Sequence, residues 1–156
     1  MEVAPGAKRG LLVVDDDEDI LRLVSVAMKA RGFEVSTAIT LADGLALLEH
    51  TTFDVVLTDK NLKGATGLEL IDAVAVRAPT TAVVLMTAYP EGALGRLPTI
   101  DGYVGKPFRS LDLVARALQD AIDRRERARQ RQKLLDQLGE VKSALTKPAP
   151  PTKPDV

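Results

Sequence analysis

The sequence contains no cysteine and only one histidine among its 156 residues. The lack of cysteine excludes a disulfide scaffold, a cysteine-held zinc or iron–sulfur site and a thiol nucleophile, and it is compatible with the cytoplasmic location that we expect. The single histidine, His50, ends a helical pattern and has no sequence partner that would make it a phosphodonor or a metal ligand. We expect it to be structural, because a cation suits the carboxyl end of a helix.

Long hydrophobic runs are also absent. The first apolar run covers residues 11–14 and is followed at once by acidic residues. This pattern predicts neither a signal peptide nor a membrane span. With 46% hydrophobic and 28% charged residues, the composition is that of an ordinary globular chain, long enough for one domain and an appendage.

Charge is unevenly distributed along the chain. Residues 1–110 hold 11 basic and 15 acidic side chains, whereas residues 111–156 hold 10 basic and 7 acidic ones. Most of the positive excess lies between Arg124 and Lys133, where no aromatic side chain is interleaved and no DNA-binding motif is present. We therefore expect a solvated helix face there rather than nucleic-acid binding, and two functional regions in the chain.

Short apolar runs alternate with helical patterns along the first 110 residues. Five strands are predicted at residues 11–14, 33–37, 54–59, 82–86 and 103–105. The helical patterns between them include one with Ile20, Leu23 and Val24 on its apolar face. Such alternation predicts a doubly wound α/β fold with a five-stranded parallel sheet. Between the fourth and fifth strands, residues 90–98 hold two prolines and two glycines, so we expect only a short or distorted helix there.

A long helical pattern follows the last predicted strand. Ser110 can cap this helix, and only Gly139 weakens it in the next 35 residues. Residues 9–122 then form the predicted domain after an N-terminal tail of residues 1–8, and residues 123–146 extend the last helix beyond the domain. Residues 147–156 form a Pro-rich tail that we expect to be disordered.

Within the extension of the last helix, apolar residues recur at a spacing of 4, 3 and 4: Leu134, Leu138, Val141 and Leu145. This spacing indicates a short coiled coil and a homodimer.

Polar side chains lie where the predicted strands end. Asp15 and Asp16 follow the first strand, Asp59 closes the third, Thr87 follows the fourth and Lys106 follows the fifth. The carboxyl ends of parallel strands form the ligand site of such sheets, so we expect these side chains to converge. Clustered carboxylates raise one another's pKa values unless a cation joins them, and Mg²⁺ prefers oxygen ligands. The pattern predicts a metal-assisted phosphoryl site with a carboxylate as the acceptor.

The acidic cluster at residues 15–19 allows three alternatives to this phosphoryl site. The acids could form a solvated loop or a charge cluster at a helix N-terminus. A calcium loop fits poorly, because Ile20 stands where glycine is needed and Val26 where the bidentate glutamate belongs. A phosphatase with an Asp-x-Asp pair would need Thr or Val two residues further on, where Glu18 and Asp19 lie.

Five stretches resemble the receiver domain of bacterial two-component response regulators. They are residues 12–16 (LVVDD), 56–59 (VLTD), 67–70 (GLEL), 86–88 (MTA) and 102–108 (GYVGKPF). The resemblance covers about residues 9–122 and implies a flavodoxin-like fold. It also implies a phosphoacceptor rather than a classical enzyme, which acts in phosphorelay signalling through protein–protein contacts.

The resemblance assigns a role to each residue of the predicted site. Asp59 would be phosphorylated by a sensor histidine kinase or a histidine phosphotransfer protein. Asp16, Asp59 and the backbone carbonyl of Asn61 would bind Mg²⁺, and Asp15 would help through a water molecule. Lys106 would contact the phosphoryl oxygens.

Further roles implied by the resemblance concern switching and phosphoryl lifetime. Thr87 would hydrogen-bond to the phosphoryl group, and Tyr103 would change rotamer with it. Asn61 and Tyr89 would flank the path of the attacking water and so set the rate of dephosphorylation. Pro107 would follow a cis peptide bond.

The sequence departs from the family in three respects. Lys63 stands where a proline is usual, the stretch between Thr87 and Lys106 is a few residues short, and we recognise no output domain. Two alternatives to a phosphoacceptor therefore stay open. One is a receiver-like scaffold or dimerisation module in which phosphorylation is incidental, and the other is a metal-dependent phosphatase.

Overall fold

A computed structural model describes residues 7–88 and 99–146 of the chain. The predicted short helix at 90–98, Tyr89, the Pro-rich tail at 147–156 and most of the N-terminal tail at 1–8 therefore lie outside the described residues.

Five parallel strands form the central sheet, and they lie side by side in the order 33–38, 9–14, 55–59, 82–87 and 102–105. These strands are β1 (Arg9–Val14), β2 (Phe33–Ala38), β3 (Val55–Asp59), β6 (Ala82–Thr87) and β7 (Gly102–Gly105). The helices are α1 (Glu18–Lys29), α2 (Leu41–His50), α3 (Gly67–Arg77) and α4 (Leu111–Thr146). The order confirms the predicted doubly wound α/β fold, in which successive strands are added to one side of β1 and then to the other, so that the strand order reverses between β1 and β3.

The sheet is buried on both faces, as its apolar strands predict. On one face, Leu11 and Val13 of β1 belong to a core that includes residues of α1 and α4. On the other face, Leu12 and Val14 belong to a core that α2 and α3 help to build. All four side chains are inaccessible to solvent. Side chains that alternate in this way fix the register of the sheet, and hence the height at which each strand ends.

Two local features differ from the sequence prediction. In α1 the buried side chain is Leu21, whereas Leu23 is 47% exposed, because the apolar face is rotated toward Leu21, Val24 and Met28. The segment after β3, where no strand is predicted, forms a small antiparallel hairpin of β4 (Asn61–Leu62) and β5 (Ala65–Thr66). Gly64 adopts a φ of 69° in its turn, a conformation that glycine tolerates without strain.

The long last helix is present and runs without interruption through Gly139. Ser110 caps it as predicted, because its hydroxyl accepts a hydrogen bond of 3.1 Å from the backbone N–H of Asp112. The part of α4 up to residue 126 belongs to the compact sheet unit and buries Val114 and Leu118. Residues 127–146 belong to a second unit, and every one of them is exposed.

The start of the basic run is held by a structural ion pair. The carboxylate of Asp101 accepts hydrogen bonds from Arg125 Nε (3.2 Å) and Nη2 (2.9 Å) and from the backbone N–H of Val83 (2.8 Å). Arg124 donates to the backbone carbonyl of Asp101 at 3.0 Å. The expectation of a solvated helix face is therefore wrong for Arg125, which ties α4 to the starts of β6 and β7.

No helix within residues 7–88 and 99–146 combines the length and the apolar character that crossing a bilayer requires.

Candidate functional site

The predicted site residues meet at the carboxyl edge of the sheet. Val14 pairs with Thr58, Asp59 with Met86 and Thr87 with Gly105, so β1, β3, β6 and β7 end at nearly the same level. Asp15 and Lys106, which directly follow β1 and β7, are thereby brought beside Asp59. The sheet register therefore brings Asp15 and Lys106, which are 91 positions apart in the sequence, into direct contact.

Lys106 bridges two carboxylates. Its Nζ atom donates to Asp15 Oδ2 at 2.6 Å and to Asp59 Oδ2 at 2.9 Å. The side chain of Asp15 is fully buried, while those of Asp59 and Lys106 are 14% and 22% exposed. Asp59 is thus the carboxylate of this pair that a molecule from solvent can reach.

Burial and charge shift the pKa values of the bridged groups. Burial raises the pKa of Asp15, and the negative charge of Asp59 adds to this effect, while hydrogen bonds from Lys106 and from the Asp17 N–H oppose it. Burial would lower the pKa of Lys106, but its hydrogen bonds to Asp15 and Asp59 outweigh burial, so the pKa is raised. The lysine therefore stays charged, and the buried carboxylate is stabilised by any cation close to it.

A third carboxylate completes an oxygen-rich cluster. Asp15, Asp16 and Asp59 each present one carboxylate oxygen within 4.8 Å of the others. Mg²⁺ is bound by oxygen ligands of this kind, commonly by one or two carboxylates together with water and phosphate oxygens. The donor set therefore fits a magnesium ion.

The neighbouring aspartates have structural tasks. Asp17 caps α1, since its carboxylate accepts hydrogen bonds from the backbone N–H groups of Asp19 (2.9 Å) and Ile20 (3.4 Å). Asp19 forms an exposed ion pair with Arg22. The interpretation as a helix-terminus charge cluster thus holds for Asp17 and Asp19, whereas Asp15 and Asp16 face the site. A side chain committed to the cap also fits neither a calcium loop nor a phosphatase pair.

Gly67 is a site residue whose role is not evident from the sequence, although it lies in one of the quoted motifs. A Cβ atom at this position would lie 2.1 Å from the carbonyl oxygen of Asp59 and 3.1 Å from Thr58 Oγ1. Its backbone N–H donates to the carbonyl of Lys60 at 2.8 Å. Glycine therefore lets the first residue of α3 pack directly on the backbone of Asp59.

The other predicted site residues that the structure describes lie around this centre. Thr87 is buried at the end of β6, and its carbonyl accepts a hydrogen bond of 2.9 Å from the backbone N–H of Lys106. Tyr103 is partly buried on the edge strand β7, against the core on the α2 and α3 side. The backbone N–H of Asn61 donates to Asp59 Oδ1 at 3.3 Å. The Lys106–Pro107 peptide bond is cis, as expected.

His50 lies in the last turn of α2, where the sequence placed it. It is exposed and is not among the residues that converge at the carboxyl edge of the sheet.

Comparison with known proteins gives one consistent family. Residues 11–118 match the response regulator receiver domain. The acid tolerance regulatory protein ActR of Rhizobium meliloti is 33% identical over 125 residues, which cover 78% of this chain and 64% of ActR. The photosynthetic apparatus regulatory protein RegA of Cereibacter sphaeroides is 36% identical over 84 residues, which cover 54% of this chain and 46% of RegA. The chain thus spans less than two thirds of the length of these relatives.

Solved structures show the same fold. The chemotaxis response regulator CheY4 of Vibrio cholerae superposes with a TM-score of 0.66 at 27% identity, covering 74% of this chain and 99% of CheY4. A CheY-like receiver domain protein of Methanospirillum hungatei gives a TM-score of 0.69 at 25% identity, covering 78% of this chain and 99% of that protein.

Proposed function

The chain belongs to the response regulator receiver family, and from this premise we propose that it is a signalling phosphoacceptor whose acceptor is Asp59. Asp59 is the accessible partner of the Lys106 bridge, and this single observation supports the proposal most strongly. The proposed donor is a phosphohistidine on a sensor histidine kinase or a histidine phosphotransfer protein in the cytoplasm. The phosphorylated chain then acts on a partner protein.

The proposed transfer uses the geometry around Asp59. A carboxylate oxygen of Asp59 attacks the phosphorus of the phosphohistidine, and an O–P bond forms while the P–N bond breaks. The imidazole nitrogen keeps the bonding electron pair and takes up a proton from solvent. Lys106, held by Asp15 on one side, is within reach of the phosphoryl oxygens and neutralises part of their charge.

The acidic cluster supports a magnesium site in this proposal. Asp16, Asp59 and the carbonyl of Asn61 would hold the ion, and Asp15 would contribute through water. The bound ion supplies positive charge to the phosphoryl oxygens. Asp15 also fixes Lys106 from a fully buried position, so the lysine is oriented before the phosphoryl group arrives.

Thr87 and Tyr103 form the proposed switch. Thr87 ends β6 beside Lys106, and its hydroxyl would move to the phosphoryl group. That movement would vacate space for the ring of Tyr103, which lies on the adjacent strand β7. A change at Asp59 would in this way alter the edge of the sheet that a partner can contact.

A labelling experiment with matched variants tests the acceptor. Asp59→Asn should abolish incorporation of radiolabelled phosphate from acetyl phosphate in the presence of Mg²⁺. Asp54→Asn is the matched control, because Asp54 directly precedes the same strand and its carboxylate accepts a hydrogen bond from Gly10 N–H at the opposite end. Full labelling of Asp59→Asn would refute the assignment.

The lifetime of the phosphoryl group is proposed to depend on Asn61 and Tyr89. Asn61 can orient an attacking water, whereas the Tyr89 ring can cover its approach. Asn61→Met should lengthen the half-life of the phosphorylated chain and Tyr89→Ala should shorten it. The half-life is measured as loss of label after the donor is removed, and a slower decay in Tyr89→Ala would remove Tyr89 from this role.

We also propose that the chain forms a homodimer through the end of α4. The supporting observation is the exposure of its apolar stripe, in which Leu134, Leu138, Val141 and Leu145 are 55–81% exposed. Leu138→Glu should shift the full chain toward monomer in sedimentation equilibrium, whereas Ser143→Glu, which lies off the stripe, should not. Equal association of the two variants would contradict a seam at this stripe. Dimerisation through this stripe does not require Asp59, so the same measurement also tests the alternative that the chain is a receiver-like scaffold.

A further inference from the structure

The second unit carries a helix face that is basic in one half and apolar in the other. Six exposed residues of α4 follow one another at a spacing of 4, 3, 4, 3 and 4, which places them on a single seam: Arg127, Arg131, Leu134, Leu138, Val141 and Leu145. The two arginines come first in the chain, and the four apolar side chains follow and run to the end of the helix.

The seam is exposed to solvent along its whole length. None of the described residues 127–146 is buried, and Gly139 lies within the segment with no atom within 4 Å of where its Cβ would be. The segment continues a helix whose packed first part removes the cost of nucleation, but it lacks the packing of an apolar face that provides most helical stability in proteins, and it contains a glycine. A second copy of the chain offers the same face, and the arrangement of charge selects its orientation.

A parallel, in-register pair would place like charges together. Each seam residue of a parallel coiled coil faces its own copy, so Arg127 would face Arg127 and Arg131 would face Arg131 at positions that favour apolar side chains. Two arginine pairs next to four apolar layers would weaken a seam that spans barely two heptads.

An antiparallel pair avoids this conflict. Leu134 would then pack against Leu145 of the second copy, and Leu138 against Val141, so the four apolar layers are kept. Arg131 would lie beside the carboxyl end of the other helix, which ends at Thr146 and has no basic residue in its last turn. The last carbonyl groups of a helix carry partial negative charge that a cation stabilises.

We infer that two copies of the chain pair through this face in antiparallel orientation, with each Arg131 at the carboxyl end of the other helix. The inference rests on the proposed homodimer and adds its geometry. It also predicts that Arg131 favours association, whereas in a parallel pair it would oppose it.

Cysteine cross-linking tests the orientation directly, since the chain has no cysteine of its own. Leu134→Cys and Leu145→Cys are prepared in the full chain and oxidised separately and as a mixture. The antiparallel pair predicts a disulfide-linked dimer mainly in the mixture, because the Cα atoms in a disulfide lie only about 4.4–6.8 Å apart. Efficient cross-linking of each variant with itself would show a parallel pair and overturn the inference.

A second measurement uses charge without altering the apolar layers. Arg131→Gln should raise the dimer dissociation constant about three- to thirtyfold in sedimentation equilibrium, because it removes a cation from a helix carboxyl end at both symmetric contacts. Lys133→Gln, on another face of α4, is the control and should leave the constant unchanged. A tighter dimer of Arg131→Gln would overturn the antiparallel orientation. A chain that stays monomeric at all concentrations would overturn the homodimer itself, and the inference with it.

Discussion

Replacing Gly67 with alanine sets two physical effects against each other. Gly67 is the first residue of α3 and its φ is not positive, so helix propensity predicts that alanine stabilises the protein by up to about 1 kcal/mol. The added Cβ, however, would lie 2.1 Å from the carbonyl oxygen of Asp59 and 3.0 Å from its carbonyl carbon. These are backbone atoms, which cannot rotate away as the end of a side chain could.

The clash of the added Cβ should outweigh the gain in helix propensity. Restoring an ordinary contact requires a displacement of about 1 Å between α3 and the end of β3, and overpacking of a core typically costs about 1–3 kcal/mol. Since both contact atoms are backbone, we expect a steric cost near the upper end of this range, which leaves a net loss of about 2 kcal/mol after the gain in propensity. The same displacement moves Asp59, so phosphorylation by acetyl phosphate should slow as well.

Chemical denaturation measures this balance, and the chain supplies its own control. Gly139→Ala adds the same methyl group at a helix position where no atom beyond the local helix backbone lies within 4 Å of it, so it should increase helicity and not affect phosphorylation. Gly67→Ala should lower the urea midpoint of the sheet unit. If Gly67→Ala were as stable as the original chain or more stable, the contact with Asp59 would be refuted as the reason for glycine.

Three further outcomes are expected. Lys106→Met should destabilise the chain by about 3 kcal/mol at pH 8, because it leaves a buried carboxylate unpaired. Burial already raises the pKa of Asp15 above its ordinary 3.8, so the free energy of unfolding decreases as the pH rises from 3.8 through the pKa of Asp15 in the folded protein. Loss of Lys106 raises this pKa further, so the decrease extends to higher pH. Lys106→Met should therefore destabilise the chain less at pH 5 than at pH 8. Equal decreases in the urea midpoint at both pH values would contradict the buried ion pair of Lys106 and Asp15. Mg²⁺ at ten times its Kd should stabilise the original chain by about 1.4 kcal/mol, and Asp16→Asn should remove most of this gain in a thermal melt; an undiminished gain would exclude Asp16 as a ligand. Asp101→Asn should cost about 1–3 kcal/mol in unfolding free energy, because the bidentate bond to Arg125 loses its charge, while phosphate labelling persists; unchanged stability would mean that the ion pair does not hold α4.

Strand identity and strand ends were predictable from the sequence. The run of residues 11–14 is wholly apolar because it is buried on both faces, and this property is visible in any short window. Once the strands are parallel, Asp15, Asp59 and Lys106 must lie at one edge, so their meeting follows from topology. The site could thus be predicted without knowledge of any contact.

Features that depend on exact contacts could not be predicted in this way. The clash at Gly67 depends on the distance between α3 and the backbone of Asp59, and the Asp101–Arg125 pair depends on which turn of α4 passes the start of β7. The exposure of Leu23 instead of Leu21 reflects a rotation of α1 that its apolar spacing leaves open, because both residues border the apolar face.

Chemical trapping of the phosphorylated residue tests the central claim most directly. Borohydride reduces an acyl phosphate to an alcohol, so a phosphorylated aspartate becomes homoserine, which peptide mass spectrometry locates. After incubation with acetyl phosphate and Mg²⁺, we predict homoserine at position 59 and at no other aspartate. Homoserine at position 15, 16 or 54 in place of 59, or at none of these positions, would contradict the assignment of Asp59 as the phosphoacceptor.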